Sequence, residues 1–288
     1  MAKATQKLAF LAALLACLSL PAGAQRTAAV LAKGSGLYFD TYLAFQKAYG
    51  RPVVPFDLSE NRSPELPGGL RAVAAFGTRA AALEYKKGVT VIYALAPTYT
   101  PDLRGPEFVR ISPLPEPGST LATYLRLQPG LRRLAVFYSP GNFDFYLDKL
   151  DAAAREAGIT VVRSPLSSPA DFPAALRSLL GRMDAFWLLP DPALIDLTSL
   201  QVLGEFSCAN KVPFFAPSGG LTNYGAAAAF APGYRQTGAA VASALKTVLA
   251  GGKLPGLIFP DDAVLTINSA AIRKCGLPLV LIPEEKEE

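Results

Sequence analysis

Small polar residues and glycines follow several predicted strands of this sequence, at positions where they could contact a ligand. Gly34-Ser35-Gly36 lies between a strand pattern and a helix pattern, so its free amides and the positive helix end could attract an anion. Gly77-Thr78 repeats this arrangement, with Thr78 as the expected helix cap. An ordinary turn before a capped helix is the alternative for each loop. With the later loop after Tyr138, these segments give the predicted ligand contacts Ser35, Gly36, Gly77, Thr78, Ser139 and Asn142.

A second group of candidates follows two later strands. Asp191 stands between two prolines directly after an apolar segment, so its backbone is stiff and its carboxylate could pair with an ammonium group or a sugar hydroxyl. Capping the following helix is the alternative role for Asp191. Ser218 and Tyr224 could hydrogen-bond the same ligand. Phe143 and Phe145 begin another helix, and one of them could face the ligand, although core packing is the expectation for a single aromatic residue.

The composition excludes several classes of chemistry. The 288 residues include no histidine, so a Ser-His-Asp or Cys-His site and a His-rich zinc or iron site cannot be built. There is no GxGxxG after the first strand and no GxxxxGK[ST], which leaves dinucleotide and P-loop sites unsupported. The net charge of +5 indicates a mildly basic surface, because no basic cluster is long enough for nucleic acid. We expect no catalytic residue, no metal, no cofactor and no nucleic-acid partner.

The candidate residues sit within an alternation of strand and helix patterns. Residues 27–32, 72–76 and 89–95 are predicted strands, and 37–49 and 78–86 are predicted helices. The same rhythm restarts after a connection with three prolines at residues 113–118, which is a candidate crossing between two lobes or a rigid loop within one domain. This pattern predicts an α/β fold of two doubly wound, mainly parallel sheets, whose ligands bind beyond the carboxyl ends of the strands.

The amino-terminal residues predict export. Lys3 and Lys7 precede a short apolar stretch that Pro21 ends, and Ala22-Gly23-Ala24 fits the small-residue cleavage rule. We therefore predict a signal peptide over residues 1–24, cleavage after Ala24 and a periplasmic location. A lipoprotein anchored through Cys17 is the less favoured alternative.

Cys208 and Cys275 remain after the predicted cleavage. An oxidising periplasm would permit a disulfide between them, but the sequence does not show whether their Cα atoms approach each other. We expect two small, half-buried thiols.

From Trp187 to Leu279 the chain resembles the substrate-binding proteins of ABC transporters, in the group that includes tryptophan- and tyrosine-binding members. The resemblance rests on residues 187–192 (WLLPDP), 212–218 (VPFFAPS) and 267–271 (INSAA), and upstream on 129–138 (PGLRRLAVFY). Gly77-Thr78 followed by Ala80 resembles the motif of the first lobe, where the match is looser.

This resemblance implies the type I periplasmic-binding-protein architecture, in which the chain crosses a hinge between two lobes three times. Residues 25–114 with 232–258 would form lobe 1, and residues 115–231 with 259–288 would form lobe 2. The implied protein is a monomer that catalyses nothing. It would capture a small solute, an amino acid or another small organic molecule, and deliver it to a membrane permease.

Two departures put an α-amino acid ligand in doubt. Gly141 stands where amino-acid-binding relatives usually carry an acidic residue, and the first-lobe region is shorter than usual. Two other classes of function stay open. One is a periplasmic sensor that reports its ligand to a membrane receptor, and the other is a periplasmic enzyme that works without histidine.

Overall fold

A computed structural model describes residues 26–102 and 104–281 of the chain. Its strands are β1 Thr27–Leu31, β2 Pro55–Asp57, β3 Ala72–Phe76, β4 Thr90–Ala94, β5 Glu107–Ile111, β6 Arg133–Tyr138, β7 Thr160–Pro165, β8 Ala185–Leu188, β9 Phe214–Ala216, β10 Ala228–Ala231, β11 Leu257–Ile258 and β12 Val264–Ile267. Its helices are α1 Leu37–Tyr49, α2 Thr78–Ala81, α3 Pro117–Leu127, α4 Asp144–Glu156, α5 Phe172–Leu179, α6 Leu197–Asn210, α7 Tyr234–Leu249 and α8 Ser269–Cys275, with 3₁₀ turns at Pro169–Asp171 and Gly219–Tyr224.

The strands form two six-stranded sheets, one in each lobe. The first sheet has the order β11-β5-β4-β3-β1-β2 and is parallel throughout. The second has the order β12-β10-β9-β8-β6-β7, and β12 is antiparallel to its neighbour β10. The predicted fold class, two mainly parallel α/β sheets, is confirmed.

Each sheet is buried on both faces, which explains why its central strands are apolar without alternation. In β3 all five residues are buried; Ala72, Ala74 and Phe76 enter one core cluster, and Val73 and Ala75 enter the cluster on the opposite face. The second sheet likewise separates two core clusters. The loops therefore leave from sheets that are packed on both faces.

Helices α1 and α7 cross closely on the first sheet. A Cβ atom at Gly238 of α7 would lie 2.6 Å from the amide nitrogen of Phe45 and 2.7 Å from the carbonyl oxygen of Thr41. A glycine is needed there because any side chain would push the two helices apart. This contact brings a helix that is late in the sequence onto the sheet formed by the earliest strands.

The chain passes between the two sheets three times: from β5 to α3, from β10 to α7 and from β11 to β12. Prolines occupy each passage, at Pro113 and Pro115, at Pro232 and at Pro260. Two of the passages are joined where the amide of Ser112 donates to the carbonyl of Ile258 at 2.8 Å. The prolines limit the backbone angles available where the lobes are connected.

Two sequence predictions require correction. The helix predicted at 78–86 ends at Ala81, because the buried Tyr85 folds back and its hydroxyl donates to the carbonyl of Ala80 at 2.6 Å. Cys208 and Cys275 are not separate thiols but form a disulfide between α6 and α8, with their Cα atoms 4.7 Å apart. The sequence could not show this pairing because 67 residues separate the two cysteines, and only the packing of α8 against α6 brings them together.

Candidate functional site

The register of the first sheet brings several predicted loops to one edge. Leu31, the last residue of β1, is level with Phe76 at the end of β3 and Asp57 at the end of β2. Phe76 is in turn level with Ala94 at the end of β4. The loops that follow these strands therefore leave side by side from the carboxyl-terminal edge, where ligands bind in open α/β sheets.

The first loop of this edge is fixed by Asp57, a residue that the sequence analysis missed. The amide of Gly34 donates to Oδ2 of Asp57 at 2.9 Å, and a Cβ atom at Gly34 would lie 2.2 Å from that oxygen. Ser35 and Gly36 are exposed, and Gly36 precedes α1 with a φ of +60° and no side-chain cap. The loop therefore presents a hydroxyl and free helix amides to solvent.

Asp57 stays ionised at this edge of the sheet. Partial burial raises its pKa, but hydrogen bonds from Ser59 and Gly34 and the charge of Arg79 outweigh this, so the pKa is lowered below its ordinary value. The Arg79 guanidinium also donates to the carbonyl of Ala32. The signal that could have revealed Asp57 was its position directly after residues 52–56 (PVVPF), a short segment with a strand pattern.

The second loop is packed tightly beneath Tyr38. Gly77 is buried with a φ of +99°, and a Cβ atom there would lie 2.7 Å from both Ala32 Cβ and Tyr38 Cε1. Gly77 is the cap residue of α2, and Thr78 is the first residue within that helix, so the prediction that Thr78 is the cap is wrong. The side chain of Thr78 is exposed and lies on the same edge as Ser35.

In the second lobe, the carboxylate of Asp191 joins two loops. Asp191 is 0% exposed, and its Oδ2 accepts hydrogen bonds from the amide of Ser139 at 3.1 Å and from Nδ2 of Asn142 at 2.9 Å. Its Oδ1 accepts from the amide of Ala193 at 3.0 Å. Asp191 does not cap the following helix, since α6 begins at Leu197 with Asp196 as its cap. The carboxylate holds Ser139 and Asn142 in fixed positions beside the ends of β6 and β8.

Ser139 carries a polar atom without a partner. Its Oγ is buried and makes no hydrogen bond within the described chain, although its amide is held by Asp191. Buried hydroxyls are normally hydrogen-bonded, so this oxygen is available to a water molecule or a ligand. Asn142 is half-buried beside it, and Gly141 between them is exposed with a φ of +84°.

The remaining predicted residues lie in different environments. Ser218 is exposed and lines an open depression of about 320 Å³ whose other lining residues are Pro190, Pro192, Ile195, Pro217 and Leu221. Tyr224 is 42% exposed at the end of the following 3₁₀ turn and does not line this depression. Phe143 is buried in the core, whereas Phe145 is half-buried and contacts the first lobe.

Within the part of the chain that the structure describes, no group of three or more histidine, cysteine, aspartate or glutamate residues could hold a metal ion. No helix among these same residues is long and apolar enough to cross a membrane. The predicted signal peptide and Cys17 lie outside the described residues.

A family described as ABC transporter substrate binding protein matches residues 120–285. The chain belongs to this family. The tyrosine-binding protein of Clostridioides difficile (strain R20291) is similar to this substrate-binding protein, with 24% identity over 159 residues. That match covers 54% of this chain and 45% of the relative, so the chain spans about half the length of the curated protein that it matches.

Solved structures share the two-lobed fold with this substrate-binding protein. The ligand-free, open structure of a substrate binding protein with adhesive properties from Clostridium difficile has a TM-score of 0.62 at 17% identity, and covers 91% of this chain and 97% of that chain. An ABC domain in complex with L-Trp from Streptococcus pneumoniae has a TM-score of 0.58 at 16% identity, covering 87% and 94%. The resemblance to the family is confirmed.

Proposed function

We propose that this substrate-binding protein captures a small solute between its two lobes and delivers it to the membrane permease of an ABC-type uptake system. The observation that carries the proposal is the placement of polar loops at the carboxyl-terminal edges of both sheets. In the second lobe these loops are fixed together by the buried Asp191, which leaves Ser139 and Asn142 beside the end of β6. When a ligand binds to loops that are already held in place, little free energy is spent on ordering them.

The proposed contacts are Ser35, Gly36, Gly77, Thr78, Ser139, Asn142, Asp191, Ser218 and Tyr224. Asp191 acts mainly by holding its neighbours, because its carboxylate oxygens already accept three hydrogen bonds. Ser35 and Thr78 supply hydroxyl groups from the first lobe, and the unpartnered Oγ of Ser139 supplies one from the second.

The protein works outside the cytoplasm as a monomer and is not an enzyme. Export follows from the signal peptide at residues 1–24 with cleavage after Ala24. Lobe 1 comprises residues 25–114 and 232–258, and lobe 2 comprises residues 115–231 and 259–288. A bound solute is returned unchanged, and the absence of histidine, the most frequent general base at neutral pH, supports this part of the proposal.

Solute binding is tested by thermal shift on the mature protein, unfolded and refolded to remove any ligand carried through purification. The library contains amino acids, together with aromatic acids, nucleobases, sugars and vitamins. The amino acids include tyrosine, for which a relative is named, and tryptophan, which is bound in the structure of the ABC domain from Streptococcus pneumoniae. A solute at about one hundred times its Kd adds roughly 2.7 kcal/mol of stability and raises Tm by several degrees.

Substitutions then locate the site. Ser139→Ala and Asn142→Ala are expected to weaken the shift at a fixed solute concentration, whereas Glu156→Gln, an exposed change in the same lobe, leaves it unaltered. A folded protein that responds to no compound in the library counts against small-solute capture. If a solute raises the Tm of both alanine variants as much as that of the wild type, the binding site lies elsewhere.

A further inference from the structure

A contact between the two lobes lies outside the predicted loops. The guanidinium carbon of Arg110, on β5 of the first sheet, lies 4.3 Å from the ring centroid of Phe145, on the first turn of α4 in the second lobe. Both side chains are half-buried. A cation that lies over an aromatic ring at this distance is attracted by the negative charge density of the ring face.

Arg110 is held rigidly on the first-lobe side. Its Nη1 donates to the carbonyl of Pro97 at 3.0 Å, and its Nη2 donates to the carbonyl of Tyr99 at 2.5 Å. Both carbonyls belong to the loop after β4. Leu95, which begins that loop, has a φ of +56°, a left-handed conformation that is uncommon for a non-glycine residue and turns the chain at the strand end.

No ion pair joins Arg110 to a carboxylate within the described residues. Its neighbours are carbonyl oxygens, the ring of Phe145 and the side chain of Tyr93. The Tyr93 hydroxyl is hydrogen-bonded to Arg110, and its ring centroid is 5.4 Å from the guanidinium carbon. Because no carboxylate forms an ion pair with the guanidinium, its positive charge is shared only among these neutral partners and the Phe145 ring.

On the second-lobe side, the first turn of α4 is linked both to the predicted site and to the hinge. It follows the loop of Ser139 and Asn142, which Asp191 holds. Tyr146, the residue after Phe145, packs against Phe259 in the third passage between the lobes, with ring centroids 6.2 Å apart. A movement of one lobe relative to the other must therefore change the Arg110–Phe145 contact or move these loops.

We propose that Arg110 and Phe145 form a clasp between the lobes, which stabilises the lobe arrangement in which the two side chains are in contact and thereby alters the affinity for solute. Arg110 is a positioning residue, since it acts through the loop after β4 and through Phe145. The effect on affinity rests on the proposed function, whereas the effect on lobe arrangement does not. Losing a partly buried cation–aromatic contact changes the ratio of lobe arrangements by about two- to thirty-fold.

The clasp is tested without any solute, by measuring the distance between spin labels with double electron–electron resonance. The labels are placed on the otherwise complete mature protein at Glu60→Cys in the first lobe and Arg177→Cys in the second, both exposed positions. The native cysteines are bridged and do not react with the label. Phe145→Leu and Arg110→Lys are each expected to broaden or displace the distance distribution, because they remove the ring and the planar cation respectively.

Matched variants separate a positioning role from a merely structural one. Phe145→Trp keeps an aromatic ring, so its distance distribution should match that of the wild type. The double variant Arg110→Lys/Phe145→Leu should alter the distribution no more than either single variant, because both changes remove the same contact. Phe206→Leu, the same change at a half-buried ring within the second lobe, should leave the distribution unchanged. If both clasp variants remain folded and show the wild-type distribution, the proposal is wrong, even if the solute screen succeeds.

Once a solute is known, the clasp variants should change its apparent Kd in inverse proportion to the fraction of molecules in the arrangement that binds the solute. An altered distance distribution with an unaltered Kd would support the contact between the lobes and contradict its proposed effect on affinity. If no compound in the solute screen binds, the proposed function is contradicted but the distance measurement is unaffected. Failure of the proposed function and failure of the clasp are therefore distinguishable.

Discussion

The Oδ2 atom of Asp191 lies 2.9 Å from Nδ2 of Asn142, although 49 residues separate them in sequence. This hydrogen bond joins the loop after β8 to the loop after β6 and places a charge-assisted acceptor beneath both. The second-lobe edge of the candidate site is therefore a single connected unit, whose shape depends on one buried carboxylate.

Replacing the carboxylate of Asp191 should lower the stability of the protein. Asp191→Ala leaves the amide of Ser139 and the side chain of Asn142 without their acceptor, and we expect a loss of about 3 kcal/mol in the free energy of unfolding. Urea denaturation measures the loss, and Glu156→Gln is the exposed control. A variant as stable as the wild type would show that the hydrogen bonds contribute nothing net.

Gly77 should not tolerate a side chain. Gly77→Ala places a methyl group 2.7 Å from Tyr38 and Ala32, and we expect it to be about 1–3 kcal/mol less stable than Gly88→Ala. Gly88 is a matched control because its φ of +87° is similar and no atom lies within 4 Å of the added methyl group. Chemical denaturation of the two variants separates the steric effect from the backbone effect. Equal losses would contradict the crowding at Gly77.

The disulfide between Cys208 and Cys275 should stabilise the second lobe. It closes a loop of 67 residues, and the chain-entropy relation predicts a stabilisation of about 4 kcal/mol. We expect the Cys208→Ala/Cys275→Ala protein to unfold at lower urea concentration than the wild type. Reductant should destabilise the wild type and leave the double variant unchanged. The absence of any reductant effect on the wild type would mean that the bridge does not form.

The Asp184–Arg133 pair should make stability depend on pH. Burial raises the pKa of Asp184, but hydrogen bonds from Arg133 and from the amides of Arg132 and Arg133 lower it further than burial raises it, so its net pKa lies below the ordinary value of 3.8. A lowered pKa in the folded state means that the carboxylate stabilises the fold above about pH 4, and that this contribution disappears as pH falls through the folded pKa.

We therefore expect Asp184→Asn to be about 1 kcal/mol less stable than the wild type at pH 7, with the difference shrinking below pH 4. Urea denaturation across the pH range measures this difference. Because Asp184 lies before β8, at the edge opposite the candidate site, solute affinity should not change. A difference that grows as the pH falls would have the wrong sign for this explanation.

Much of the fold followed from the sequence because its signals are local. The positions of α1, β1 and β3 could be read directly, since apolar spacing and flanking glycines depend only on neighbouring residues. The exclusion of histidine-dependent sites needed only the composition. Proline clusters marked a passage between lobes because proline restricts the backbone wherever it stands.

The candidate site needed contacts that no local pattern contains. Asp191 could be singled out from its flanking prolines, but its role as the acceptor for Ser139 and Asn142 depends on β6 and β8 being neighbours in the sheet. Asp57, the Cys208–Cys275 bridge and the Arg110–Phe145 clasp likewise pair residues far apart in the chain. The sequence by itself determined the class of fold, the family and the loops worth testing. Only the tertiary structure decided which side chains meet, because strand order and helix packing set the distances between residues that are remote in sequence.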